Sequence, residues 1–323
     1  MMRDLAGAPE GVGARWSAAR RIAGYGAALS MGSYLAVKVI WVVAAFIGRA
    51  PEGFGTADWV MLNAVTVAMA TTGVGLGLAL AQRWGRRLPA APVVFFAWVG
   101  AGFLVPMIPY MVAQGLLGAF GADLGGGQDK SGSAPQWETA LITIGFAGMA
   151  VGLAVALPIY LRERWPRAFL GRLESGEAGA SPLVTAALAV TAGLGMLWCF
   201  WGMGGTLGFD PAHRDHWDLN GRLLNASSGL WALLAAWSVW ALTRGRPAGL
   251  RRWIPTTLAF AASGSLFAWS GWKLPMVILR PGGFTTAEYT AVAVAEHTLG
   301  IAAGLTLLTA VLRVVRREGP GGG

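Results

Sequence analysis

The sequence predicts an all-α, polytopic integral membrane protein with eight transmembrane helices, built as two tandem four-helix halves related by a parallel pseudo-repeat. Three observations carry this expectation. Eight apolar runs of bilayer-crossing length follow one another along the 323 residues. Charged residues make up 13% of the chain, about half of the roughly 25% found in soluble domains. The pattern Trp41, Gly48, Pro51 returns as Trp201, Gly208, Pro211 at one constant offset of 160.

Taken in order, residues 1–25 carry Arg3, Arg15, Arg20 and Arg21 with Trp16 among them. They read as a cytoplasmic tail ending in an interfacial amphipathic helix. No cleavable signal is expected, because Lys38 interrupts what would be its apolar region. Run one covers about 27–48, and an outer loop with Pro51, Glu52 and Asp58 follows. Run two, about 59–82, places Asn63, Thr66, Ala70, Gly73 and Gly77 at helical spacing, a stripe that lets a neighbouring helix approach closely. Run three, about 90–117, contains Pro106 and Pro109 and should kink near its outer end. The Gly- and Ser-rich segment 121–136 reads as an outer loop, and run four covers about 138–161.

The connection 162–181 divides the halves, giving an N-terminal half 1–178 and a C-terminal half 179–323. Run five covers 182–208, and Asp210 with Pro211 starts a short helix as N-cap and first residue. Runs six, seven and eight cover about 224–242, 254–274 and 290–312.

Charge sets the orientation. Taking alternate connections as internal puts 18 of the 25 basic residues on one side and 5 on the other, with Lys38 and Lys273 inside runs. The positive-inside rule then makes both termini cytoplasmic. The net charge of +9 is therefore topological and gives no reason to expect nucleic acid as a partner. The expected partners are the lipid bilayer and a membrane protein or a second copy of the chain. The 22 Arg against 3 Lys point to a GC-rich bacterial genome, hence a plasma-membrane location. Cys199 is the single cysteine, so there is no disulfide framework.

Further anchors support a duplication. Pro89 and Pro109 recur as Pro255 and Pro275 at offset 166, and Gly148, Gly152, Leu153 and Arg164 as Gly300, Gly304, Leu305 and Arg316 at offset 152. The change of offset requires insertions in loops. Four helices per half imply a pseudo-two-fold axis along the membrane normal. The phrases Arg86-Arg87-Leu88-Pro89, Ala97-Trp98-Val99-Gly100-Ala101-Gly102 and Trp201-Gly-Met-Gly-Gly-Thr-Leu-Gly208 resemble those of an actinobacterial family of polytopic membrane proteins. That resemblance implies a membrane fold and transfers no activity and no site.

Intramembrane ionisable groups are the candidates for substrate or ion binding. Lys38 lies at the middle of run one, on a stripe with Tyr34 and Trp41 that offers a hydroxyl and an aromatic face to the ammonium. Asn63 belongs to the same outer polar set as Asp58, Gln114 and Glu138, which would line a cavity. Glu296 and His297 form an acid–imidazole pair suited to a proton relay or a cation site. Glu296 shares its face with Gly300 and Gly304, so it should point inward and compensate a lysine, Lys38 in preference to Lys273. Lys273 itself reads as a snorkelling anchor. The competing reading of all these charges is structural: one internal ion pair locking the bundle.

Asp210, His213 and His216 put two imidazoles on one helix face beside a carboxylate, a pattern that can hold a divalent transition metal. A solvated polar cap is the preferred reading of the same residues. No cofactor signature is present; a haem would have to join His297 to a loop histidine. Gly73-Val-Gly-Leu-Gly77 lies inside an apolar run and is a packing feature.

No Walker loop, serine triad or carboxylate pair appears, so an enzyme is the least supported class. The leading expectation is a multi-pass inner-membrane protein that transports a small molecule or ion, or serves as accessory subunit to one. The alternative is a non-transporting membrane partner, sensor or immunity protein.

Overall fold

The computed structural model describes residues 13–49, 55–122, 136–174, 181–214, 217–281 and 284–317. Among them it is all-helical, with only two isolated bridges, Arg172 to Arg251 and Phe209 to Glu288, and no strand. The helices are α1 (Ala14–Phe46), α2 (Thr56–Ala81), α3 (Ala90–Leu104), α4 (Met107–Ala119), α5 (Gln136–Arg164), α6 (Pro166–Phe169), α7 (Pro182–Gly202), α8 (Pro211–Arg214), α9 (Leu219–Arg244), α10 (Trp253–Leu279) and α11 (Thr290–Arg317).

Seven of these segments are long and apolar enough to cross a membrane: α1, α2, the continuous stretch Ala90–Ala119, α5, α7, α9 and α11. The chain therefore has the helices of a multi-pass membrane protein. The eighth expected run is helical as α10, 27 residues long, but falls short of the others in hydropathy. Its residues explain this. α10 is enclosed by α3, α9 and α11, and its buried face carries Thr256, Ser263, Ser265 and Ser270 among small apolar residues. A helix surrounded by protein needs less apolar surface than one facing lipid.

The expected N-terminal tail is corrected by α1. Residues from Ala14 onward belong to one continuous 33-residue helix. Arg20, 4% exposed, is held by Glu163 on α5, with Nε 3.2 Å from Oε2, and also donates to the Leu80 carbonyl. A buried guanidinium with a carboxylate and a helix-end carbonyl as partners can sit at a helix–helix contact. Arg86 approaches the same carboxylate at 3.8 Å. Beside it Arg164 donates to Tyr160 Oη at 2.7 Å and to the Leu88 carbonyl at 2.6 Å, while Tyr160 Oη donates to the Gly85 carbonyl at 2.9 Å. These contacts gather the ends of α1, α2 and α5 and the start of α3 into one basic end.

Small residues set the close crossings. A Cβ on Gly77 would lie 2.8 Å from Ala28 N, and one on Gly24 would lie 2.9 Å from Gly77 O. The stripe read on run two thus faces α1. α5 meets α1 through Gly152, whose Cβ would stand 2.6 Å from that of Ala27. α3 and α10 touch backbone to backbone: a Cβ on Gly102 would be 2.1 Å from the Gly264 carbonyl carbon. The third run breaks as expected, at Val105–Pro106, where proline supplies no N–H and α4 starts afresh.

Two apolar clusters fill the interior. One is formed mainly by α1, α2, α3 and α5 around Trp98, Met149, Leu153 and Tyr160. The other is formed by α7, α9, α10 and α11 around Trp198, Trp201, Leu242 and Leu307.

Candidate functional site

The polar residues singled out in the sequence lie on several helices. They separate into clusters tied by direct hydrogen bonds, all at the end of the bundle away from the basic contacts.

In the first cluster, Lys38 Nζ donates to Asn63 Oδ1 at 3.1 Å and stands 4.0 Å from the Trp41 ring centroid and 5.5 Å from that of Tyr34. The i, i+3 and i+4 spacing on α1 stacks these groups on one face, and α2 brings Asn63 to it. Asn63, 1% exposed, is oriented by its own Nδ2 donating to the Trp59 carbonyl at 2.8 Å. Trp41 Nε1 donates to Glu138 Oε2 at 3.1 Å. The expected Lys38–Glu296 pair is thereby corrected: among the described residues no carboxylate lies within salt-bridge distance of Lys38. The physical reason is packing. The lysine stripe faces α2, and α11 packs on α10 and α7 instead.

A second cluster joins α4 to α9. Tyr110 Oη and Gln114 Nε2, the latter at 3.3 Å, both donate to Asn220 Oδ1. Asp58 stays exposed near its own helix start.

The third cluster is the most deeply enclosed. Glu296 and His297 on α11 are each 3% exposed, and Trp198 Nε1 donates to Glu296 Oε2 at 2.9 Å. His297 Nε2 lies 3.4 Å from Glu296 Oε1, and His297 Nδ1 has no hydrogen-bond partner among the described residues. The other charges acting on Glu296 are Glu288, itself 8% exposed, and Lys273 on α10. The inward direction of Glu296 follows the glycine face: a Cβ on Gly300 would be 2.3 Å from Ser270 Oγ, and one on Gly304 would be 2.9 Å from Phe267 N.

An aromatic cap lies over this cluster. Phe209 is fully buried between Trp201 and Trp217, at ring-centroid distances of 5.2 and 4.8 Å. Gly208, at φ +90, lets the chain turn so that its carbonyl accepts from Tyr289 N at 3.0 Å, and Asp210 N donates to the Ala287 carbonyl at 2.9 Å. These bonds tie the segment carrying Glu288 to the cap.

Asp210 serves as the expected cap: Oδ1 accepts from Ala212 N at 3.0 Å. His216 lies outside the described residues, and among those described no group of three His, Cys, Asp or Glu side chains is gathered as a metal would need. Sequence reading missed Trp198, Glu288 and the Arg20–Glu163 pair. Nothing in the sequence around Trp198 marks its indole as a carboxylate donor.

Chemically, the third cluster can bind and release a positive charge beside an imidazole, and the first holds the Lys38 ammonium with a neutral acceptor and two aromatic faces. Comparison of the chain with known protein families, curated proteins and solved structures finds no match.

Proposed function

We propose that the chain is an eight-span transport protein of the bacterial plasma membrane, or the accessory subunit of one, which takes up a proton or a small cation at its outer acidic cluster. The observation that carries this reading is a charge imbalance. Glu288 and Glu296 are both buried, and the charges acting on Glu296 are Glu288 and one lysine, Lys273. Counting His297 as neutral, the cluster carries one negative charge too many for an apolar surrounding. A proton or cation neutralises it, and the adjacent imidazole offers a relay.

The eighth span in this reading is α10. Both termini lie in the cytoplasm, since the basic end is formed from the alternate connections rich in arginine. The two halves are taken as a parallel repeat. Three features support it: Gly48 and Gly208 share left-handed backbone at φ +78 and +90; α1–α2 and α7–α9 pack alike; and α3 meets α10, the two helices that the repeat makes equivalent. A pseudo-two-fold axis between them brings equivalent helices together. Lipid, and a membrane partner or second copy, remain the proposed partners.

The test is ion flux in liposomes containing the purified chain. Under an imposed diffusion potential, wild-type protein is expected to move H⁺, Na⁺ or K⁺ above the level of empty vesicles. Glu296→Gln should reduce that flux at least about tenfold, by loss of the exchanging charge. Wild-type flux equal to that of empty vesicles for all three ions overturns the reading.

A second reading rests on a different observation. Trp198 satisfies Glu296, and the aromatic cap encloses the cluster, as a purely structural lock would require. A non-transporting partner, sensor or immunity protein would show no flux, and Glu296→Gln would change only its stability.

A further inference from the structure

At the basic end, a cavity of about 350 Å³ opens between the end of α5 and the start of α10, lined by Arg162, Arg172, Arg251, Trp253, Phe169 and Leu170. Its frame is built by backbone. Leu173 N donates to the Leu250 carbonyl at 2.9 Å, Gly249 N to the Leu173 carbonyl at 3.0 Å, and Arg252 N to the Gly171 carbonyl at 3.2 Å. Arg172 and Arg251 pair directly on an antiparallel bridge. Like charges set opposite each other on a bridge repel, and Arg162 adds a third. None of the three has a carboxylate within salt-bridge distance among the described residues. Arg172 uses Nη1 on the Gly249 carbonyl at 2.6 Å, which holds its guanidinium in place with donors to spare.

Three guanidiniums gathered with no carboxylate of the described residues in salt-bridge range make a site for an anion with several oxygens, which accepts from more than one fork at once. The depth of the pocket selects the source. It lies where the apolar part of α5 stops, two residues before Arg164, and where α10 begins with Trp253. Trp253 and Leu170 are 46% and 44% exposed beside the arginines. Indole at the headgroup level and basic pockets between helix ends are features that retain anionic lipids.

We propose that this pocket binds the phosphate of an anionic phospholipid, with Arg162, Arg172 and Arg251 as donors and Leu170 and Trp253 against the apolar part of the lipid. The site joins the last helix of one half to the third helix of the other. It rests on the membrane reading and is independent of transport.

Native mass spectrometry of the detergent-purified chain, titrated with phosphatidylglycerol or phosphatidylcholine, tests it. One phosphatidylglycerol is expected to be retained in preference to phosphatidylcholine, and millimolar inorganic phosphate should not displace it. The variant R162Q/R251Q should weaken that first adduct on the order of tenfold. R83Q/R87Q, which removes two exposed arginines from the same end, should not. Equal loss in both variants, or equal retention of the two lipids, overturns the proposal; displacement by phosphate overturns the lipid as source. Should R162Q/R251Q fail to fold, brominated lipids decide on intact protein. Quenching that is stronger with brominated phosphatidylglycerol than with brominated phosphatidylcholine, and lost in W253F, supports the site. Equal quenching by the two, or quenching unchanged in W253F, overturns it.

Discussion

Trp198 donates its indole N–H to Glu296 across α7 and α11 at 2.9 Å, with both side chains buried. Trp41 makes the corresponding bond to Glu138 across α1 and α5 at 3.1 Å, nearer the surface. A tryptophan on α7 thus holds an acid on α11, and one on α1 holds an acid on α5. Removing a hydrogen bond to a buried carboxylate costs about 1.5–3 kcal/mol, and a half-exposed one less. Trp198→Phe is expected to lower the detergent melting temperature clearly more than Trp41→Phe. Equal shifts would mean that Glu296 draws its stability from other partners.

The lysine on α1 and the acid on α11 occupy separate sites, so their effects should add. In a Lys38→Met, Glu296→Gln cycle the coupling is expected within about 0.5 kcal/mol of zero. In a Lys38→Met, Asn63→Leu cycle it is expected to reach at least about 1 kcal/mol, because each single change strands a polar group that the double change removes. Thermal unfolding of the four variants measures both. Strong coupling in the first cycle would restore the long-range ion pair.

At the basic end, Glu163 carries more of the fold than its exposed neighbour Arg86. Glu163→Ala leaves the Arg20 guanidinium buried without its carboxylate and should cost about 3–5 kcal/mol. Arg86, with a side chain 47% exposed, should cost less than about 1 kcal/mol on truncation to Ala. Yield of monodisperse protein and its melting temperature report the difference. The ranking fails if the two variants behave alike.

The contact between halves should be intolerant of a single methyl group. Gly102→Ala drives Cβ into the Gly264 backbone, which no rotamer change relieves, at a cost of about 3 kcal/mol or more. Gly75→Ala, on α2 with nothing within 4 Å of the new atom, should instead gain up to about 1 kcal/mol of helix propensity. Fluorescence-detected size exclusion distinguishes them. A well-behaved Gly102→Ala protein would show that α3 and α10 are not so closely apposed.

The number of crossings is open to direct measurement. In a Cys199→Ser background, cysteines at positions 87 and 246 are expected to label from the cytoplasm, and those at 58, 212 and 280 from outside. Positions 253 and 280 bracket α10. Labelling of both from one side would remove it as a span.

Much of the bundle was legible in the chain because membrane burial imposes long-range order on composition. Apolar runs, basic turns, the Pro106 break and the Gly77 and Gly300 faces each follow from local rules that need no partner. The candidate site was legible only by residue. Glu296 pointed inward because its own helix face said so. Which side chain met it, however, depended on α7 and not α1 standing opposite, and nothing local records that neighbourhood. The same limit hid Arg20. Lying just before the first apolar run, it reads as tail, and only α5 crossing over it supplied the acid that allows burial.

The sequence by itself determined the helical class and the positions of most helices, because these depend on hydrogen-bond satisfaction in lipid. Only the tertiary structure decided that Lys38 rests on Asn63 and Trp41, that Glu296 rests on Trp198, and that Arg172 stands beside Arg251. The last two of those pairings join segments distant along the chain, 98 residues apart for Trp198 and Glu296. Several arrangements would satisfy the same apolar patterns, and the choice among them falls to close packing at a few glycines, where backbone meets backbone.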